Sequence, residues 1–150
     1  LPLSRILLNF LRHSNREKLL VFEALWYLMI IKIQLRYSSF NALAKRYNLQ
    51  MTQNELCAQD ENIETLKSIK WALWRVSRII PWDSVCLDQA LSAQRMLARR
   101  KISGVLYLGV AKKETEVKGL KAHAWVRTGK YFVTGQAGHE EFTVVSCFGW

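Results

Sequence analysis

Glycine and proline are scarce in this chain. Of 150 residues only 7 are Gly and 2 are Pro, which excludes collagen-like repeats and long flexible linkers and leaves the composition of one compact domain spanning 1–150. Cysteine is also sparse. Cys57, Cys86 and Cys147 are odd in number and far apart, so they read as reduced thiols of a cytoplasmic protein, with no disulfide framework and no paired zinc ligands. Neither a metal nor a cofactor is expected. Acidic residues are the minority: 12 Asp and Glu stand against 22 Lys and Arg, a formal charge of +10 that favours nucleic acid, an anionic membrane surface or an acidic peptide. Long apolar runs are missing too. The most apolar segment, Leu19 to Leu35, is broken by Glu23 and Lys32, and its uncharged stretch from Ala24 to Ile31 falls well short of the ~20 residues a membrane span needs. It reads as a core helix. The opening LPLSRILLNFLRH has no small-residue cleavage site and no long apolar centre, so no secretory signal is expected. What remains is half hydrophobic, enough for a core without metal or disulfide staples.

Two regimes divide the chain. Positions 1–80 contain no Gly, and apolar residues recur there at helical spacing, as in Leu19, Phe22, Leu25, Trp26, Met29 and Ile33. A helix is expected from about Arg16 to Arg36, then a short one through Phe40, Leu43, Ala44 and Tyr47, with Ser38, Ser39 and Asn41 as turn or cap residues. Asn48 to Asn62 is polar and reads as a linker. A further helix from Ile63 to about Ile79 repeats Leu66, Ile69, Leu73 and Val76 before Pro81. Over 81–150 the pattern is one helix, Ser84 to Arg100, and then β-rich runs: Val105 to Ala111, Ala122 to Arg127, Lys130 to Thr134 and Phe142 to Phe148. A tight turn is expected at Thr128-Gly129. The fold class is therefore α+β, a helical first part followed by a helix packed on a small antiparallel sheet.

Cys86 carries the chemistry. Pro81 breaks a helix, Asp83 or Ser84 offers an N-cap, and Cys86 falls in the first turn of the next helix. Unpaired N–H groups and the positive helix end favour a thiolate there, and the same groups can stabilise a tetrahedral oxyanion. The plainer alternative is a small buried apolar residue, and Cys57 and Cys147 keep that reading. A nucleophilic Cys needs a base. His123 in Lys121-Ala122-His123-Ala124-Trp125-Val126 is the candidate, because alternation sets it with Trp125 on one strand face and leaves only small neighbours beside it. His13 and His139 read as surface residues. Gln89, Ala90 and Ala93 share the helix face of Cys86; the alanines allow close packing on the sheet, and Gln89 is a candidate donor to substrate or oxyanion. Trp82 and Trp125 are candidate indole donors or groove walls. The basic clusters Arg99-Arg100-Lys101 and Lys112-Lys113 read as solvated faces.

Pro81-Trp82-Asp83-Ser84-Val85-Cys86-Leu87-Asp88-Gln89-Ala90-Leu91, Met96 to Ile102, Tyr107-Leu108-Gly109-Val110 and His123-Ala124-Trp125-Val126 together resemble the transglutaminase-like cysteine peptidases of lasso-peptide biosynthesis. The likeness is specific over about Trp71 to Gly135, and the chain's size matches the stand-alone peptidase half of the split B protein. It implies a papain-like or transglutaminase-like core whose Cys-His-Asp triad removes the leader of a ribosomally made precursor through a thioester. Cys86 is then the nucleophile and His123 the base. The implied partners are the precursor's leader, a separate leader-recognition protein and an ATP-dependent cyclase, and the implied cleavage preference is Thr as the penultimate leader residue.

One departure stands out. The family places an Asp on the strand after the His, to hold the imidazole in its useful tautomer. A turn at Thr128-Gly129 would set Thr134 opposite His123, and Tyr131 to Gln136 contains no carboxylate. Thr134 or Gln136 can orient a ring through a neutral hydrogen bond; Glu140 and Glu141 are the nearest carboxylates, and Asp88 lies about 200° around the helix from Cys86. Two other functions remain open: acyl transfer to an amine by the same dyad, and a catalytically impaired basic module that grips peptide or nucleic acid. The sequence has no RNA-binding aromatic signature and no helix with a basic DNA-facing side, so nucleic acid is not the expected partner.

Overall fold

The computed structural model describes residues 14–53, 63–83, 85–112 and 119–150. His13, Cys57, Ser84 and Lys113 lie outside them. Helix α1 spans Asn15–Tyr37 and opens with a reciprocal cap, in which Ser14 Oγ accepts from Glu17 N and Glu17 Oε2 accepts from Ser14 N at 2.8 Å. Its length agrees with the apolar periodicity, but the buried face differs. Val21, Ala24, Leu28 and Ile31 are buried, whereas Leu19, Phe22, Trp26 and Ile33 are exposed. Apolar residues surround this helix, so periodicity alone does not choose a side; the charged residues do. Glu23 receives a two-pronged bond from Arg100 (Nη1–Oε1 2.9 Å, Nη2–Oε2 2.7 Å), and Lys32 Nζ reaches Asp88 Oδ2 at 3.2 Å and the Asp83 carbonyl at 2.9 Å. Both partners sit on or beside the next layer of the fold, and the face between them turns inward.

A short helix α2, Phe40–Arg46, is capped by Ser39, whose Oγ accepts from Ala42 N at 3.3 Å. The expected linker contains a two-residue strand, β1, Gln50–Met51. Helix α3 runs Ile63–Ser77 and stops short of Pro81, with Ser77 Oγ donating to the Trp74 carbonyl at 2.9 Å. Helix α4 is Cys86–Arg99, followed by β2 (Val105–Lys112), β3 (Leu120–Thr128), β4 (Tyr131–Thr134), a 3₁₀ turn at His139–Glu141 and β5 (Thr143–Gly149). The strands form one antiparallel sheet in the order β1-β5-β2-β3-β4. The fold is α+β, as expected.

One apolar cluster joins α1, α3 and α4 to one sheet face, through Leu28, Ile31, Leu73, Leu91, Met96, Leu106, Ala124 and Val126. Each fully buried Leu or Ile there contributes about 1.5–3 kcal/mol of transfer free energy. Ala90 and Ala93 have no exposed surface, so α4 can lie close against β3. The other sheet face carries a smaller cluster of Val105, Tyr107 and Trp125, backed by Phe132, Phe142 and Cys147. Alternation along β3 thus sends Ala124 and Val126 to the helices and Trp125 away from them. Among the described residues no helix is long and apolar enough to cross a membrane.

Candidate active site

Cys86 is the first helical residue of α4, and Val85 is the N-cap. This corrects the expected cap at Asp83 or Ser84. Valine has no acceptor, so the closing bond comes from within the helix: Asp88 Oδ2 accepts from Val85 N at 3.3 Å. Asp88 is only 2% exposed and also meets Lys32. Its carboxylate therefore fixes the helix start and lies away from the thiol's side. The thiol is half-buried at the positive end of a 14-residue helix, where open backbone donors face any charge developing on a bound carbonyl.

His123 comes from β3. Gly109 stands opposite it on β2, and its ring lies 5.0 Å from Phe142 and 5.6 Å from Trp125, centroid to centroid. The outer edge of β3 is uncovered here, because β4 pairs only as far as Thr134 opposite Val126. The chain then turns at Gly135 and runs past the exposed edge. Cys86 and His123 line one cavity of about 560 Å³, together with Gln89, Lys70, Trp74 and residues 135–137. No hydrogen bond joins thiol and ring among the described residues.

The ring is held from behind. His123 Nε2 lies 2.9 Å from the Gly135 carbonyl oxygen. A carbonyl only accepts, so Nε2 carries the hydrogen and the lone pair of the neutral ring is on Nδ1. Orientation and tautomer, the tasks of a triad carboxylate, thus fall to a backbone oxygen. Gly135 has φ +68°, and a Cβ there would lie 2.6 Å from the Ala124 carbonyl oxygen and 2.7 Å from Trp125 Cβ. Only glycine brings the chain this near β3.

The expected register of Thr134 is corrected. The turn falls at Gly129-Lys130, with φ +57° at Gly129, and a bulge between Val126 and Arg127 shifts the pairing. Thr134 therefore faces Val126 rather than His123, and its buried hydroxyl has no partner among the described residues. Gln136 accepts from Lys70 Nζ at 3.1 Å, and Glu140 contacts His139 at 3.5 Å. Neither Glu140 nor Glu141 lines the cavity. Trp82 and Trp125 are absent from its walls as well. Trp125 is 3% exposed and stacks on Tyr107 at 5.6 Å and 6°, so it serves the outer cluster. Gln89 lines the cavity. Lys70 and Trp74 were not expected there; they lie one turn apart on α3, a spacing that signals a shared face but not what that face meets. His139 is not a free surface residue: its ring packs 4.5 Å from Phe132, and Nδ1 lies 2.7 Å from the Gln136 carbonyl.

Burial pushes the Cys147 thiol above its ordinary value, which disfavours the thiolate, and Cys147 is not among the residues that line the cavity. No group of His, Cys, Asp and Glu among the described residues is arranged to hold a metal ion. The site is a cysteine, an imidazole with its acceptor nitrogen defined, and a cleft wall of Trp and Lys. That set can form and resolve a thioester.

No curated protein and no solved structure matches the chain. The family model described as transglutaminase-like superfamily matches residues 27–147, which include Cys86, His123 and the turn that holds the ring. With that match and an α+β fold of the expected kind, the chain belongs to the transglutaminase-like superfamily, whose members are in general cysteine peptidases or acyltransferases.

Proposed function

We propose that the protein is a cysteine peptidase that removes the leader from a lasso-peptide precursor, with Cys86 as nucleophile and His123 as base. The cysteine chemistry in this reading is supported by the shared cavity of Cys86 and His123, with His123 Nε2 bound to the Gly135 carbonyl, and the leader-peptidase part by the motif resemblance of Pro81 to Leu91 and His123 to Val126. Sγ attacks the carbonyl at the leader–core junction while its proton passes to Nδ1. The oxyanion collapses, the imidazolium gives its proton to the departing core amine, and the leader's terminal acyl group remains as a thioester on Cys86. Water then attacks, its proton taken by the same ring, to release a leader carboxylic acid and the thiol. Gln89 stands beside the sulfur as a polar contact for the substrate. Precursor recognition falls to a separate leader-binding protein, and an ATP-dependent cyclase consumes the freed amine.

The test is intact-mass analysis of the precursor after incubation with this protein and its leader-binding partner, wild type against Cys86→Ala. Cleavage at one junction is expected from wild type, with a loss of at least about a thousandfold in the variant. Leader binding without cleavage by either protein would instead favour the inactive binding module.

A further inference from the structure

The bond that orients His123 ends on a backbone carbonyl, and a carbonyl is only as fixed as the chain that carries it. Gly135 lies just beyond β4, in the left-handed region with φ +68°. Within its own segment, it is tied by His139, three residues from Gln136, through Nδ1 and the Gln136 carbonyl at 2.7 Å. That bond moves with the turn and does not secure it to the rest of the fold. The ladder of β4 with β3 holds the turn on the sheet side as far as Thr134, and among the described residues one side chain ties it to the helical layer. Lys70, from the middle of α3, places Nζ 3.1 Å from the Phe132 carbonyl and 3.1 Å from Gln136 Oε1, across 62 and 66 residues of sequence. Its two contacts bracket Gly135, one on β4 before it and one on the residue after it. The ammonium is also 5.3 Å from the centre of the Tyr131 ring, which adds a cation–π attraction to the same anchorage.

We infer that Lys70 is the positioning residue of this site: it anchors the turn on both sides of Gly135, so that the Gly135 carbonyl holds His123 as a triad carboxylate would. The inference rests on the peptidase reading for its kinetic consequence. Lys70 does not act on the ring itself. An ammonium has three donors and no acceptor, so it cannot receive the Nε2 hydrogen. Its influence passes through two acceptors on the turn, and the effect of losing it is a looser carbonyl and a ring that samples its other tautomer. Because Lys70 also lines the cavity, a direct contact with substrate is the competing role, and the two predict different kinetics.

The experiment uses the full chain with precursor and leader-binding partner, in wild-type, Lys70→Met and Lys70→Arg forms. It adds nitrogen NMR of ¹⁵N-histidine-labelled protein to read the His123 tautomer. Positioning predicts that Lys70→Met lowers kcat about tenfold or more with KM within twofold. Lys70→Arg, which can still donate to both acceptors, should recover kcat to within about threefold of wild type. In the spectrum, His123 should carry its hydrogen on Nε2 in wild type and show a mixture of tautomers in Lys70→Met. A kcat that stays within twofold, a rise confined to KM, or a wild-type tautomer in Lys70→Met overturns the inference. If wild type does not cleave at all, the peptidase reading fails, and the tautomer comparison still decides the role of Lys70. Gln136→Ala removes one of the two anchors and is read the same way if Lys70→Met does not fold.

Discussion

Replacing Gly135 by Ala strikes the account where it is most specific. The residue holds φ +68°, and the added Cβ would sit 2.6 Å from the Ala124 oxygen and 2.7 Å from Trp125 Cβ, where ordinary contacts begin at 3.4 Å. Both neighbours belong to β3, which β2 holds in place from Val105 to Lys112, so the turn must retreat. A left-handed conformation costs an L-residue roughly 1–2 kcal/mol, and overpacking typically adds 1–3 kcal/mol. Together they predict about 2–5 kcal/mol, or a melting temperature roughly 4–20 °C lower for a chain of this size. A kinetic loss is expected in addition, in the molecules that stay folded. A turn displaced by the better part of an ångström takes the carbonyl out of reach of Nε2, and misplacements of that order cost about a hundredfold in rate. The assay is precursor cleavage well below the variant's melting point, with circular dichroism to confirm the fold. Gly138→Ala is the control, since Gly138 also has positive φ, +74°, but nothing lies within 4 Å of its Cβ position. It should lose about 1 kcal/mol of stability and keep cleavage within twofold. A Gly135→Ala protein that melts and cleaves like wild type would refute the carbonyl's role.

Other outcomes follow from separate parts of the structure. Lys32→Met leaves the 2%-exposed Asp88 with a reduced set of donors; because Lys32 is 41% exposed, the expected cost is discounted to about 1–2 kcal/mol by chemical denaturation. Trp74→Ala removes the exposed aromatic wall of the cavity and should raise KM several-fold with kcat within threefold, read from initial rates. Burial raises both the Cys147 thiol above 9.0 and the Tyr47 hydroxyl above 10.0. Each group favours its neutral form in the fold, so its contribution is complete below those ordinary values and is lost as pH rises through the raised ones. Urea melts should therefore show stability falling from about pH 9 upward, and an increase there would contradict the assignment.

Much of the architecture was legible because it follows from local spacing. The three main helices and four of the strands arise where apolar residues recur at helical or alternating positions, and Cys86 at a helix start with His123 on a strand needed no tertiary information. The choice of α1 face did, because that helix is apolar all round and Glu23 and Lys32 find their partners only once α4 is in place. β1 was hidden because Gln50–Met51 is too short to show alternation. The third member of the site was hidden for a different reason. A side-chain search looks for Asp, Asn or Thr near the base, while the acceptor here is the backbone oxygen of Gly135, which has no residue signature. A bulge and a one-residue shift of the turn then carried Thr134 away from His123. Lys70 and Trp74 reach the cavity through the packing of α3, which no local pattern encodes.

The central claim is that chemistry passes through the sulfur of Cys86. The most direct measurement is a rapid acid quench of wild-type protein with precursor and leader-binding partner, followed by intact mass and peptide mapping. The account predicts a transient adduct equal to the leader acyl group, mapped to Cys86 and absent from Cys86→Ala. An adduct on Cys57 or Cys147, or undiminished cleavage by Cys86→Ala, would contradict it.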